Sequence, residues 1–153
     1  MQKEQHVVKL TRTIRAKPSA VYRAWLDPEK IRAWMAPGMF EASRAEVDER
    51  EGGTYRVWHA IDDEEVGGFE SEILELVPNR TIAFRWDFAD RAAGRVYDSR
   101  LTVTFRPAPG ASTELTLVQE KLAELARDRP DIAENVGVGW EMVVERLATL
   151  LGR

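Results

Sequence analysis

The chain has no cysteine among its 153 residues. That single absence excludes disulfide frameworks, iron–sulfur clusters, thiolate zinc sites and cysteine nucleophiles. Histidine is almost as scarce: only His6 and His59 occur. A catalytic zinc held by three histidines, or by two and a carboxylate, would need both, and His6 stands beside the N-terminus. No resident metal or cofactor is expected. Long apolar runs are missing as well, the longest being a handful of residues against the ~20 that span a bilayer. The opening Met1-Gln2-Lys3-Glu4-Gln5-His6 has no apolar stretch and does not read as a signal peptide. Cytoplasm is the expected location, because nothing addresses the chain elsewhere. Basic residues do not dominate either: 22 Lys and Arg stand against 26 Asp and Glu, a net charge of −4. They are spread along the chain, so no stripe argues for nucleic acid.

What is present suits one folded domain over residues 1–153. Apolar residues make up 44% and charged residues 31%, and a chain of 17.4 kDa buries about two-thirds of its unfolded surface. Val8, Leu10 and Ile14 share one parity over residues 7–15, a half-buried strand interrupted by Arg12. Pro18 suits the first turn of a helix continued by Val21, Tyr22, Trp25 and Leu26. Asp27-Pro28-Glu29 starts a second short helix, with Ile31, Trp34 and Met35 on its buried side. Residues 40–49 form a polar strand. Glu51-Gly52-Gly53 turns into a strand with Tyr55, Val57, His59 and Ile61 on one face. Asp62 to Glu65 is expected as a solvated tip, with Gly67-Gly68 opening the next strand. Ile82, Phe84, Trp86 and Phe88 give the cleanest alternation, followed by a polar loop at 89–95. Leu101, Val103 and Phe105, then Leu115, Leu117 and Gln119, alternate in turn. The end is one long helix over 131–151, started by a capping box of Asp131 and Glu134. Its apolar face is Ile132, Val136, Trp140, Val143, Val144, Leu147 and Leu151. Gly137 and Gly139 interrupt this helix, which predicts a close backbone approach or a local distortion there. The order predicts an α+β fold: a curved antiparallel sheet wrapped around the long C-terminal helix, with two short helices after the first strand.

Four stretches resemble a known family. Ala16-Lys17-Pro18-Ser19-Ala20-Val21-Tyr22-Arg23-Ala24-Trp25 runs into Asp27-Pro28-Glu29-Lys30-Ile31-Arg32-Ala33-Trp34. Val47-Asp48-Glu49-Arg50-Glu51-Gly52-Gly53-Thr54-Tyr55-Arg56 carries an Asp-x-Arg-x-Gly-Gly-x-aromatic turn. Glu75-Leu76-Val77-Pro78 precedes Ile82-Ala83-Phe84-Arg85-Trp86, and Gly139-Trp140 opens the last apolar stripe. The chain resembles the START-like, or SRPBCC, superfamily with its helix-grip fold. More narrowly, it is similar to the family named after the C-terminal domain of the activator of the 90-kDa heat-shock protein ATPase. The resemblance covers residues 8 to 151. It includes no counterpart of that activator's additional N-terminal domain, and the family spans carriers, cyclases, dehydratases and chaperone stimulators, so its name is not an activity.

The resemblance implies a cavity between sheet and helix for a small hydrophobic or aromatic ligand. Its inward candidates are Tyr55, Val57, His59, Trp86, Phe88, Phe105, Leu117, Gln119, Trp140, Val143, Val144 and Leu147. For each apolar member the plainer expectation is ordinary core packing. His59, on the apolar parity of its strand, is the sharpest chemical candidate, against a neutral core histidine with a satisfied hydrogen bond. Tyr55 and Asp87 complete the acid–base candidates, Asp87 only if its strand turns it inward. Gln119 is either a hydrogen-bonding group of the pocket or a strand-end residue facing water. Three functions follow: a cofactor-free ligand-binding protein first, a cyclase- or dehydratase-type enzyme second, and a chaperone-associated interaction module third. Outward-facing Trp58 is a candidate anchor for a weak homodimer, the alternative being a monomer.

Overall fold

A computed structural model describes residues 7–36, 40–90 and 94–152, and within its strands all side chains except those of Val66, Phe88, Ala89 and Asp90. The elements in chain order are β1 (Val8–Ile14), α1 (Pro18–Leu26), α2 (Pro28–Trp34), β2 (Glu41–Val47), β3 (Thr54–Ile61), β4 (Glu64–Val77), β5 (Thr81–Asp90), β6 (Arg95–Ala108), β7 (Ser112–Glu120), α3 (Ala123–Asp128) and α4 (Pro130–Gly152). The strands form a seven-stranded sheet in the order β1-β7-β6-β5-β4-β3-β2, with every neighbouring pair antiparallel. The sheet curls around α4, as the helix-grip expectation required.

Local chemistry sets the connections. Asp27 caps α2 by accepting the backbone N–H of Glu29 at 3.0 Å, with Pro28 in the first turn. The indole N–H of Trp34 donates to the carbonyl of Ala24 at 3.1 Å, which locks the two short helices together. The Gly52-Gly53 turn is docked on β4: Gly52 N–H donates to Ile73 and Ile73 N–H to Gly53, at 2.7 and 2.8 Å. Gly52 has φ +84, and a side chain at Gly53 would run into the carbonyl oxygen of Asp48. Both positions need glycine for steric reasons.

Several expectations change. The acidic tip is shorter: Asp62 and Asp63, with φ of 52 and 68, make a two-residue hairpin turn, and Glu64 and Glu65 already belong to β4. Gly67-Gly68 therefore lies inside that strand, beside the register shift at His59/Ala60. The polar stretch 89–95 is shortened by β5 reaching Asp90 and β6 starting at Arg95. Helix α3 has too few residues to show a periodic stripe and went unpredicted. Helix α4 begins at Pro130, so Asp131 sits in its first turn, bound by Arg129 at 2.9 Å, and does not cap it. Arg12, the break in the first strand's parity, faces α4 and pairs with Glu145 at 2.7 Å. Among the described residues, no helix is long and apolar enough to cross a membrane.

Candidate functional site

At one end of the sheet's concave side, the apolar face of α4 stands away from the strands and leaves a cleft of about 470 Å³. Three adjacent strands contribute one ring each: His59 from β3, Phe69 from β4 and Trp86 from β5. The opposite wall is α4, through Ile132, Val136, Gly139, Trp140 and Val143, positions that fall on one side of a helix. Met35 closes the inner end, and the exposed Asp131 and Asn135 stand at the mouth. The rings support one another. Phe69 and Trp86 lie 4.4 Å apart between centroids, Trp86 and Trp140 5.3 Å, and His59 meets Phe69 edge-on at 5.3 Å. The volume falls within the ordinary range of small-molecule sites, and the lining is mostly apolar with few polar groups.

A buried relay runs from the Trp140 ring to the backbone of the Trp86 strand. Trp140 Nε1–H donates to Gln119 Oε1 at 2.7 Å, Gln119 Nε2 donates to Ser99 Oγ at 2.8 Å, and Ser99 donates to the Trp86 carbonyl at 2.8 Å. Gln119 is fully buried. It neither faces water nor lines the cleft; it holds Trp140 in place. Ser99 was not a sequence candidate, although its position opposite Trp86 in the β5–β6 register marks it once pairing is known.

His59 is the cleft's distinctive polar group. Its Nε2 lies 3.1 Å from the carbonyl oxygen of Met35, which can only accept, so the neutral ring carries its proton on Nε2 and keeps a lone pair on Nδ1. Burial lowers its pKa from the usual 6.5, and the Met35 contact only partly opposes this. The imidazole is neutral at pH 7.

The sequence candidates divide accordingly. His59, Trp86, Trp140 and Val143 line the cleft. Tyr55, Val57, Phe105, Leu117, Val144 and Leu147 are buried in the packed core and do not line it. Tyr55 donates its hydroxyl to the Trp25 carbonyl at 2.6 Å, and burial pushes its pKa well up, so it has no proton to offer in the cleft. The side chain of Phe88 lies outside the described residues. Asp87 does not turn inward, because β5 pairs with β6 without a register shift. It lies on the outer face 3.2 Å from Arg85; burial raises its pKa, against the pull of Arg85 and with the push of Asp98. Trp58, also outward, has the Arg44 and Arg56 guanidinium groups over its ring, at 4.0 and 4.5 Å. Phe69 and Met35 are lining residues that periodicity did not single out as such. The close backbone approach foreseen for the helix glycines is not found: an added Cβ meets only Val8 at 3.7 Å from Gly137, and nothing within 4 Å from Gly139.

A curved antiparallel sheet closing on a C-terminal helix, with an apolar cleft between them, is the helix-grip architecture of START-like proteins. The chain belongs to the family described as activator of Hsp90 ATPase homolog 1-like protein, whose model matches residues 15–152. Among solved structures it is similar to protein CV1439 from Chromobacterium violaceum, with 29% identity, coverage of 96% of this chain and 98% of that one, and a TM-score of 0.75. Protein MLL2253 from Mesorhizobium loti shares 23% identity over 94% and 95% of the two chains, with a TM-score of 0.72. The Aha1 dimer from Colwellia psychrerythraea, at 13% identity, 95% coverage of each chain and a TM-score of 0.72, shares the fold. No curated protein is a significant match to the chain.

Proposed function

We propose that the protein binds a small hydrophobic or aromatic molecule in the cleft between the sheet and α4, without catalysing a reaction. The observation that carries this reading is the cleft itself, about 470 Å³ bounded by four aromatic or heteroaromatic rings and the apolar side of one helix. A cyclase or dehydratase would want an acid–base pair, and of the three candidate groups only His59 reaches the cleft. The chaperone connection in the family's description offers the other reading, but it rests on no surface feature described above.

Trp86 and Trp140 both wall the cleft, so occupancy is readable in their emission. Titration with the neutral probe N-phenyl-1-naphthylamine is expected to quench tryptophan emission saturably, with energy transfer to the probe. A Gly139→Leu variant places a side chain in the cleft and should remove most of that response while the protein stays folded. A wild-type titration without a saturable change would end the binding reading. So would a Gly139→Leu protein that responds as the wild type does.

A further inference from the structure

The polar groups left over in the cleft define what the ligand must bring. Trp140 has spent its N–H on Gln119, and Gln119 and Ser99 are spent on each other and on the Trp86 carbonyl. Asn135 donates to the carbonyl of Asp131, and the Asp131 carboxylate is held by Arg129. No Lys or Arg is among the described residues that line the cleft. An anion entering it would lose its hydration and meet no cation in return. Besides the exposed Asn135 amide at the mouth, one neutral acceptor remains on a lining ring. It is Nδ1 of His59, left unspent because Nε2 faces the Met35 carbonyl. A lone acceptor of this kind matches a hydroxyl group, which can donate a hydrogen bond to it.

Building on the ligand-binding reading, we propose that the cleft selects uncharged, hydroxyl-bearing aromatic molecules, with the hydroxyl donating to Nδ1 of His59, and rejects the corresponding carboxylates. The Met35 carbonyl sets the tautomer that makes this possible, because it leaves the free lone pair on a ring that lines the cleft. Burial keeps that ring neutral at pH 7, so it does not become a cation able to hold an acid.

Three ligands that share one naphthalene ring test the selectivity by calorimetry at pH 7.5: 2-naphthol, 2-methoxynaphthalene and 2-naphthoate. The methyl ether lacks the donor, and the carboxylate is charged. 2-Naphthol is expected to bind about tenfold more tightly than the ether, the worth of one hydrogen bond, and 2-naphthoate more weakly than either. In a His59→Leu variant the affinity for 2-naphthol should fall about tenfold, and that for the ether by a much smaller factor. Residual binding of the ether shows that the variant's cleft is intact. Equal affinities for naphthol and ether, or a carboxylate that matches the naphthol, would overturn the selectivity and leave the cleft as a general apolar site. If none of the three binds, the ligand-binding reading falls and this inference falls with it.

Discussion

Helix α4 meets the sheet along one apolar stripe, yet its two halves end differently. The C-terminal half buries Val144, Leu147 and Ala148, and the groove of about 330 Å³ beside it is flanked by the charged Arg12, Arg15 and Glu145 rather than by rings. There α1 touches β6, β7 and α4 together and fills the space between them, with Tyr22 meeting Phe105 edge-on at 5.6 Å. The Arg12–Glu145 pair ties the same half to β1. Among the described residues no element fills the N-terminal half in that way, and the rings of β3, β4 and β5 face the helix across about 470 Å³. Apolar periodicity is the same on both sides. What separates core from cleft is whether a third element enters the gap.

Two tryptophans place that difference on one scale. Trp25 is fully buried, enclosed by Trp34, Phe84 and Trp140 at 4.9, 6.2 and 6.0 Å. Trp140 has one side on Trp25 and another on the cleft. Trp25→Ala should therefore cost about 5 kcal/mol, the top of the range for deleting a large core aromatic, and Trp140→Ala about 3 kcal/mol, the bottom. The second void opens into an existing space that water can enter, so Gln119 Oε1 regains a partner when it loses the indole. Denaturant unfolding followed by far-UV circular dichroism gives both values. Equal losses would mean that Trp140 is plain core and would erase the contrast between the two halves.

A smaller effect sharpens the contrast through pH. The cleft end carries the buried imidazole of His59, whose folded pKa lies below 6.5. The unfolded chain thus binds the proton more readily. Stability from the neutral ring is fully present above pH 6.5 and is lost as pH falls through the lower, folded pKa. The slope is at most about 1.4 kcal/mol per pH unit for one proton. His59→Gln should flatten the stability profile below pH 6.5 relative to wild type, and superimposable profiles would remove the burial effect on this ring.

How much was legible beforehand follows the same division. Alternation at Ile82, Phe84 and Trp86, the Asp27-Pro28-Glu29 start and the stripe of α4 are local signals, and each led to the element found. The Asp131–Glu134 box failed because Pro130 is itself helical and moved the start by a residue. Tyr55, Phe105 and Leu147 were assigned to a pocket because parity reports which face a side chain takes, not what fills the space beyond it. Phe69 joins the cleft wall through its pairing opposite Val57, and Gln119 withdraws from it through Ser99. Both facts depend on strand register, which a single sequence does not display.

The smallest expected effect compares two glycines of α4. At Gly139, in the cleft half, an added Cβ meets nothing within 4 Å; at Gly152, in the helix's last turn, it would lie 2.7 Å from Arg15 Cβ and 2.9 Å from its backbone nitrogen. Gly139→Ala removes backbone freedom from the unfolded chain and creates no clash, so it should stabilise the protein by up to about 1 kcal/mol. Gly152→Ala must push the helix end off β1's outgoing chain and should cost about 1 kcal/mol, the low end for overpacking, because a terminal turn can shift. Glycine at 139 is thus unfavourable for the helix and unneeded for packing, while it leaves the cleft wider by a side chain. Paired unfolding curves decide the matter. Opposite signs place the helix's spare volume at the cleft, whereas a destabilised Gly139→Ala would mean that the helix closes on the sheet there in solution.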